Sequence, residues 1–316
     1  ATTEPDDDLL WQNAFGRLSI NASSVEYILA TAHDWALTLR RAVRTGGGAG
    51  AADMQEHIRG AIVNNVEISW GDQGQNGLAT VKFAGIGKDW GWTGNTSVGS
   101  GYLNLSSAAT TFRASSARQL SVNSLFKVKT STGGGSGILI DTVNYTTNVV
   151  SFSEALGTTL SSGRVIVPYN PTATTAGQPL HARIGFLSLD GSATQIQHLG
   201  GRVTIDDHRG LLNEEVGFDS ASRVIRENRR DVTGTFAFIL KKDEVGELLG
   251  RMDRNNSRDV QINIGDAANK TMKIRMKDFE WDMSALDIPD QGMTRITMSG
   301  RALGTLGNDS IKVRFM

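Results

Sequence analysis

The stretch Gly77-Leu78-Ala79-Thr80-Val81-Lys82-Phe83-Ala84-Gly85 returns near the C-terminus as Gly292-Met293-Thr294-Arg295-Ile296-Thr297-Met298-Ser299-Gly300. Both copies begin and end with glycine and carry apolar residues at the second, fifth and seventh places. Ahead of them, Asn65-Val66-Glu67-Ile68 corresponds to Asp278-Phe279-Glu280-Trp281. The sequence therefore predicts one strand, turn, strand unit in each half. A duplicated β unit is more typical of an assembling protein than of an enzyme.

Composition excludes several classes of protein. The 316 residues are enough for two or three domains, and 32 basic against 33 acidic side chains give no general attraction to nucleic acid or to an anionic membrane. Cysteine is absent, so disulfides and thiolate metal sites are excluded and burial with backbone pairing must hold the fold. Residues 1–8 are acidic and polar, and no stretch approaches the ~20 apolar residues of a membrane span. We expect neither export by a standard signal nor a membrane partner.

In the C-terminal half, apolar residues recur at every second position, which predicts strands with one apolar face. These residues are Val232, Gly234, Phe236, Phe238, Leu240, Val260, Ile262, Ile264, Met272, Ile274 and Met276. The alternation shifts before Phe279, which predicts a bulge near Lys277. Between the first two runs, Asp243 as N-cap and an apolar stripe at helical spacing predict a helix over residues 243–252.

The N-terminal half follows the same order. A short strand is predicted around residues 18–20, and Ser23 with Glu26 forms a capping box for a helix that carries Val25, Ile28 and Leu29. A strand with Trp35, Leu37 and Leu39 comes next, before the repeated hairpin. One continuous helix over residues 25–43 satisfies the same spacing, and periodicity does not decide between the two interpretations.

Between the halves, Ser, Thr, Gly and Val dominate and charges are few. Short strands are predicted around Phe126 with Val128, Ile138 with Ile140, Val149 with Phe152, and Val165 with Val167. Such spacing is typical of a small barrel or sandwich. The predicted organisation is an N-terminal repeat (1–92), an inserted β domain (93–175) and a C-terminal repeat (176–316).

Residues 206–231 have no clear periodicity. A long irregular loop inside a β domain is typical of a binding element. The residues expected to make contact are Leu211, Leu212, Val216, Phe218, Arg223, Arg226, Arg229 and Arg230.

The run Gly201-Arg202-Val203-Thr204-Ile205-Asp206, the long loop, Arg230-Asp231-Val232-Thr233-Gly234-Thr235-Phe236, a helix and a final hairpin with Leu286-Asp287-Ile288-Pro289 together resemble the tail tube proteins of long-tailed, siphovirus-like bacteriophages. The resemblance covers residues 178–303. It implies a mainly β protein, a β-sandwich with a flanking helix, here duplicated and interrupted by the inserted domain. It further implies rings of six positions that stack into a DNA-conducting tube in the virion, with loop 206–231 reaching the next ring.

The partners that this resemblance implies are further copies of the chain and the tape measure, tail terminator and distal tail proteins, with DNA passing through unbound. If each half is a tube unit, three chains complete a ring. If the N-terminal half is only an addition to a single tube unit, six chains are needed to complete a ring. Glu67 and Glu280 are candidates for carboxylates that face the lumen, and two solvated positions on an outer sheet face are an equal alternative.

Catalytic and metal-binding signals are weak, so we expect no enzyme, cofactor or metal site. His33-Asp34 and Asp206-Asp207-His208 place acid beside imidazole, but neighbours on a strand point to opposite faces. His57 is expected in a loop, since no second imidazole follows at ligand spacing. The glycines at 133–137 lack the Lys-Ser/Thr of a phosphate-binding loop, and no serine lies in a Gly-x-Ser-x-Gly frame.

Trp90 and Trp92 flank Gly91 and could form a platform on which sugar rings stack. A carbohydrate-binding or tail-tip adhesion module is therefore the alternative function.

Overall fold

The computed structural model describes residues 8–21, 23–30, 36–43, 54–71, 77–97, 99, 108–122, 124–128, 137–152, 154–155, 162, 164–169, 180, 185–190, 196, 198–212, 223–239, 258–266, 270–282, 295–304 and 309–316. Strands account for 73% and helices for 5% of these described residues, which confirms the mainly β class. The predicted helix over residues 243–252 lies outside the described residues, as do Trp35, His33, Val216 and Phe218.

The elements, in chain order, are α1 (Asp8–Phe15), β1 (Gly16–Asn21), β2 (Ser24–Leu29), β3 (Leu37–Val43), β4 (Met54–Gly71), β5 (Thr80–Ile86), β6 (Asp89–Gly94), β7 (Thr96–Ser97), β8 (Thr111–Arg113), a 3-10 turn (Ala117–Gln119), β9 (Leu125–Val128), β10 (Ile138–Asn144), β11 (Val149–Phe152), β12 (Val165–Pro168), β13 (Gly185–Leu189), β14 (His198–Asp206), β15 (Arg209–Leu212), β16 (Arg223–Arg226), β17 (Asp231–Ile239), β18 (Arg258–Asp266), β19 (Lys270–Asp282), β20 (Arg295–Ala302) and β21 (Ile311–Phe315). All strand pairs are antiparallel.

The chain divides into two compact units. Unit 1 comprises Ala1–Ala36, Ile62–Ile86 and Ala176–Met316, and unit 2 comprises Leu37–Ala61 and Gly87–Thr175. This division differs from the predicted boundaries in the N-terminal half, because residues 37–61 and 87–92 group with the inserted segment. The long strand β4 supplies residues to both units.

Unit 1 is a two-layered β structure around one core. Layer A has the strand order β13-β18-β19-β21-β2-β1, and layer B has the order β19-β20-β17-β14-β4-β5. Alternate residues of both layers point inward and form a single buried cluster, with large side chains such as Tyr27, Trp70, Phe236 and Phe279. The described strands of the two halves therefore build one sandwich-like core, not two separate sandwiches.

Strand β19 belongs to both layers because it bends at a bulge. Val260 pairs with Met276 and Arg258 with Phe279, so Lys277 and Asp278 together oppose one residue. Asp278 adopts φ 50°, and its backbone N–H donates to Oδ1 of Asp259. The bulge predicted near Lys277 is confirmed, and it carries the strand from one layer to the next.

The helix predicted from Ser23 and Glu26 is wrong, and so is the continuous helix over residues 25–43. Residues Ser24–Leu29 form β2, in which Val25, Tyr27 and Leu29 are buried, and Leu37–Val43 form β3. Strands β1 and β21 flank β2 on both sides, so tertiary pairing outweighs the local capping signal. The strand predicted at residues 18–20 is confirmed as β1.

Helix α1 was not predicted. It places Trp11, Ala14 and Phe15 in the core of unit 1, with the Trp11 ring 5.3 Å from both Phe83 and Phe315.

In unit 2, the strands predicted between residues 126 and 167 are all present and form a six-stranded sheet of order β7-β12-β9-β10-β11-β8. Backbone hydrogen bonds from Ser115 N to Ser97 O and from Gly99 N to Arg113 O join its two outer strands. The sheet therefore closes into a small barrel around Phe112, Phe126 and Phe152. Residues of β3, β4 and β6 form a second sheet of this unit.

Candidate functional site

The segment expected to be an irregular loop is a β-hairpin in its described part, so that expectation is corrected. Arg209 pairs with Arg226, Gly210 with Ile225, Leu211 with Val224 and Leu212 with Arg223. We call these two strands, β15 and β16, the arm hairpin. Its aliphatic side chains Leu211, Leu212, Val224 and Ile225 are all half-buried. Alternation failed to predict the hairpin because apolar residues are consecutive on both strands.

A buried carboxylate holds the start of the arm hairpin. Asp207 Oδ2 lies 2.6 Å from Arg209 Nε, and Asp207 Oδ1 accepts hydrogen bonds from Arg230 Nε at 2.5 Å and Arg226 Nη2 at 3.0 Å. The side chains of Asp207, Arg209 and Arg230 are 3%, 3% and 4% exposed, so solvent screens these contacts little. We call Asp207, Arg209, Arg226 and Arg230 the arginine base.

Backbone carbonyls complete this network. Arg209 Nη2 donates to the carbonyls of Asn13 and Val63, and Arg230 donates to the carbonyl of Ala30 at 3.3 Å. Burial lowers the pKa of both guanidinium groups, and Asp207 opposes that shift. The hydrogen bonds to Asp207 and to the backbone carbonyls thus stabilise the charged forms of Arg209 and Arg230, which burial disfavours.

A bulge in strand β4 lies beside the arginine base. Its register shifts between Val63 and Asn65, and the extra residue Asn64 accepts hydrogen bonds from Asp207 N through its carbonyl and from Arg209 N through Oδ1. Asn13 of α1 accepts from Val63 N. The arm hairpin is therefore fixed at its base to β4 and α1 of unit 1.

Of the residues expected to make contact in this segment, Arg226 and Arg230 belong to the arginine base. Arg229 is exposed and donates to the carbonyl of Leu303 at 3.3 Å. Arg223 begins β16, and Val216 with Phe218 lies outside the described residues. The sequence search missed Asp207 and Arg209 as anchoring residues, because their partners are remote in sequence.

Glu67 and Glu280 lie on the same outer face of layer B. The register places six residues directly side by side across six strands: Lys82, Glu67, Thr204, Thr233, Arg301 and Glu280. We call this set the central row. Glu67 contacts Lys82 Nζ at 3.0 Å and Arg202 Nε at 3.8 Å.

The two repeated hairpins differ in register. Glu280 lies opposite Arg301, whereas the alignment of the repeats places Thr297 at the position of Lys82. The pairing is thus shifted by four residues relative to Glu67 with Lys82. Because the shift is even, both glutamates remain on the outer face of the sheet. There Glu67 lies opposite Lys82, and Glu280 lies opposite Arg301.

The neighbouring rows on this face are polar. Apart from Ala84, which lies opposite Asn65, they contain Thr80, Ser69, Arg202, Thr235, Ser299 and Asp282 on one side and Asn65, Asp206 and Asp231 on the other. In these rows carboxylates outnumber basic groups, and none of the side chains is aromatic. Such a face lacks both the cation excess and the stacking rings that hold nucleic acid.

The two outer strands of layer B are β5 and the end of β19, and just before β5 the backbone N–H of Ala79 donates to the carbonyl of Leu180 at 3.0 Å. Within the described residues, no strand pairs with the outer edge of β5 or with the outer edge of β19 at residues 280–282. The central row ends in Lys82 at the first edge and in Glu280 at the second. Side chains of opposite charge thus stand at the two ends of the central row.

His208 is placed between two carboxylates. Asp206 and Asp231 lie directly opposite each other, and the imidazole has Nδ1 3.5 Å from Asp206 Oδ1 and Nε2 3.5 Å from Asp231 Oδ2. The ring separates two like charges that would otherwise face each other across the strands. His57, expected in a loop, is buried in β4 of unit 2. The part of the chain that the structure describes contains no cluster of three acidic or histidine side chains able to bind a metal ion.

Comparison of the sequence with protein-family models and with curated proteins finds no match. No described helix is both long and apolar enough to cross a bilayer.

Proposed function

We propose that this chain is a structural subunit that assembles head to tail into rings, and that the rings stack into a hollow tube of the kind found in long-tailed bacteriophages. The observation that carries the proposal is layer B, a sheet with a polar outer face and side chains of opposite charge, Lys82 and Glu280, on its two outer strands. An unprotected edge strand is a template for pairing with another chain. In the proposed ring, the edge of β5 in one copy pairs with the edge of β19 in the next.

Pairing of β5 from one copy with residues 280–282 of β19 from the next would place Lys82 opposite Glu280. Opposite charges in such cross-strand positions stabilise the pair by ~0.2–1 kcal/mol. Because the two contacting surfaces differ, the association is head to tail and closes into a ring when the rotation between copies permits. The outer face of layer B then lines the lumen, and its excess of carboxylates lets DNA pass without being held.

The ring is proposed to contain six chains. The two repeated hairpins lie at opposite ends of one sheet and share one core, so one chain supplies one sandwich-like unit. This organisation supports the alternative in which the N-terminal half adds to a single tube unit and six chains form a ring.

The arm hairpin is proposed to contact the next ring. Its half-buried aliphatic residues give it apolar surface, and the arginine base fixes its orientation. A segment ordered before binding loses less conformational entropy on association.

Negative-stain electron microscopy of the purified chain tests the proposal. We expect hollow filaments whose end views have six-fold rotational symmetry. A monodisperse monomer at all protein concentrations would contradict it.

A further inference from the structure

The sheet formed by β3, β4 and β6 in unit 2 has one buried and one exposed face. Gln55, His57 and Thr93 are buried on one side. Leu39, Ile58 and Trp90 lie side by side on the other, as do Arg41, Glu56 and Trp92. We call these last six residues the tryptophan face.

The tryptophan face is open to solvent. Trp90 is 59% exposed, Trp92 39%, Leu39 40% and Ile58 38%. Elsewhere in the described chain Trp11, Trp70 and Trp281 are at most 4% exposed. Contiguous exposed apolar surface of this kind marks a ligand-binding or interaction site.

The two indoles are spaced along one strand with polar groups beside them. Residues two apart on a strand lie about 6.6 Å apart on the same face. A Cβ atom at Gly94 would lie 3.3 Å from Cζ3 of Trp92 and 2.7 Å from Oε1 of Gln119, so the indole and the amide converge over this glycine. Glu56, opposite Trp92, lies 3.9 Å from the Arg41 guanidinium.

We propose that the tryptophan face binds a neutral polysaccharide. The C–H faces of two sugar rings would stack on Trp90 and Trp92, because the face of an aromatic ring carries negative charge density that attracts weakly positive C–H groups. Glu56, Arg41 and Gln119 would exchange hydrogen bonds with the hydroxyl groups. This site lies within unit 2 and does not depend on tube formation.

The charges of the face support this class of ligand. Arg41 and Glu56 cancel, and at the end of the sheet Arg59 pairs with Asp89. Lys88, whose side chain lies over Gly60 at the end of this sheet, adds one positive charge, far fewer than the basic clusters that attract nucleic acid or anionic lipid. A protein partner would bury the Arg41–Glu56 pair, and removing these charges from water would weaken binding. Sugar hydroxyl groups, in contrast, would keep both side chains hydrogen-bonded.

The test uses the full chain with soluble β-1,4-linked glucose and N-acetylglucosamine hexasaccharides, insoluble cellulose and chitin, and isolated bacterial cell walls. Tryptophan fluorescence follows the soluble probes, and co-sedimentation follows the insoluble ones. We expect saturable binding to at least one probe. Trp90→Ala and Trp92→Ala should each weaken it about tenfold, which corresponds to about 1.4 kcal/mol, because each removes one of the two stacking rings.

Phenylalanine at either position should retain most of the affinity, since it preserves an aromatic face. Tyr145→Ala, which removes another exposed aromatic ring of unit 2, is the matched control and should leave binding unchanged. The melting temperature of the double Trp90→Ala, Trp92→Ala variant should equal that of the parent, because both side chains are exposed.

Three results would overturn the proposal. The first is the absence of binding to every probe. The second is self-association that the double variant abolishes, since a second copy would then be the occupant. The third is binding to anionic phospholipid vesicles that depends on the two tryptophans.

Discussion

The indole nitrogen of Trp70 donates a hydrogen bond to Nε2 of His198 across 2.8 Å, with the two rings edge to face. Trp70 is fully buried, so its N–H has no access to water. His198 can accept this bond only while Nε2 is unprotonated. Desolvation by burial lowers the pKa of His198, with the carbonyl of Ile196 acting in the opposite direction.

We predict that this pair makes unit 1 sensitive to acid. Above the unfolded pKa of about 6.5, His198 is neutral in both states and its contribution is constant. Below that pH the unfolded state binds the proton first, so stability falls until the lowered pKa of the folded state is reached. His198→Gln retains an acceptor for Trp70 and should remove part of the loss. Urea unfolding at pH 7.5 and 5.0 measures it, and an equal loss in the variant would contradict the prediction.

Loss of the Asp207 carboxylate should be strongly destabilising. Asp207→Asn leaves Arg209 and Arg230 buried without their counter-charge, and breaking such a pair from one side costs about 3–5 kcal/mol. Denaturant titration of the parent and variant measures the difference. Asp206→Asn, at the neighbouring residue that ends β14 and has a side chain 39% exposed, is the control and should cost less than about 1 kcal/mol. An equal loss of unfolding free energy in the two variants would show that the contacts of Asp207 with the buried arginines do not stabilise the fold more than an exposed carboxylate does.

The closing glycines of the two repeats should tolerate no side chain. A Cβ atom at Gly85 would lie 2.0 Å from the carbonyl oxygen of Ile62, and one at Gly300 would lie 2.3 Å from that of Glu280. Gly85→Ala and Gly300→Ala should each destabilise unit 1 by about 1–3 kcal/mol, because backbone atoms must move. Thr297→Ala, on the exposed side of β20, is the matched control. Unchanged thermal unfolding in both glycine variants would refute the steric argument.

A charge exchange tests the proposed contact between chains. Lys82→Glu and Glu280→Lys should each weaken ring formation, because each places like charges opposite across the new strand pair. The double variant restores opposite charges between copies and should recover assembly. Sedimentation velocity at low and moderate salt, with circular dichroism as a check of folding, measures both effects. Failure of the double variant to recover, with normal rings in the single variants, would exclude this register.

The arm hairpin should be needed for stacking but not for folding. Leu211→Ser combined with Val224→Ser removes a directly opposed aliphatic pair while leaving the arginine base intact. We expect folded protein that forms single rings and no tubes by electron microscopy. Ile20→Ser, a change at another exposed aliphatic residue of unit 1, serves as the control. Normal tubes in the arm variant would show that the hairpin does not join rings.

The fold was predictable where one face of a strand is apolar. Phe236 and Phe238, Ile262 and Ile264, and the strands of the barrel alternate clearly, and all lie in strands as expected. The bulge at Lys277 was predictable for the same reason. Apolar residues alternate up to Met276 and resume at Phe279, so one extra residue in the alternation is visible in the sequence. Prediction failed at residues 24–29, where two neighbouring strands impose β structure on a segment whose local signals favour a helix.

The candidate site was predictable only in part. Glu67 and Glu280 were found through the repeat, but their shared row depends on β17 and β14 lying between the two hairpins. Asp207 and Arg209 could not be assigned as anchors, because their partners come from Asn13, Val63 and Arg230, which are remote in sequence. Contacts between distant residues leave no local periodicity.

By itself, the sequence showed that cysteine chemistry is absent, and it predicted a mainly β chain with two related hairpins and an inserted small barrel or sandwich. These properties depend on composition and on the alternation of side chains along single strands. Only the tertiary structure decided that both hairpins join one sheet, that side chains of opposite charge stand on its two outer strands, and that Trp90 and Trp92 remain exposed. Those properties depend on strand order and register, which long-range packing of the core selects after each strand has formed.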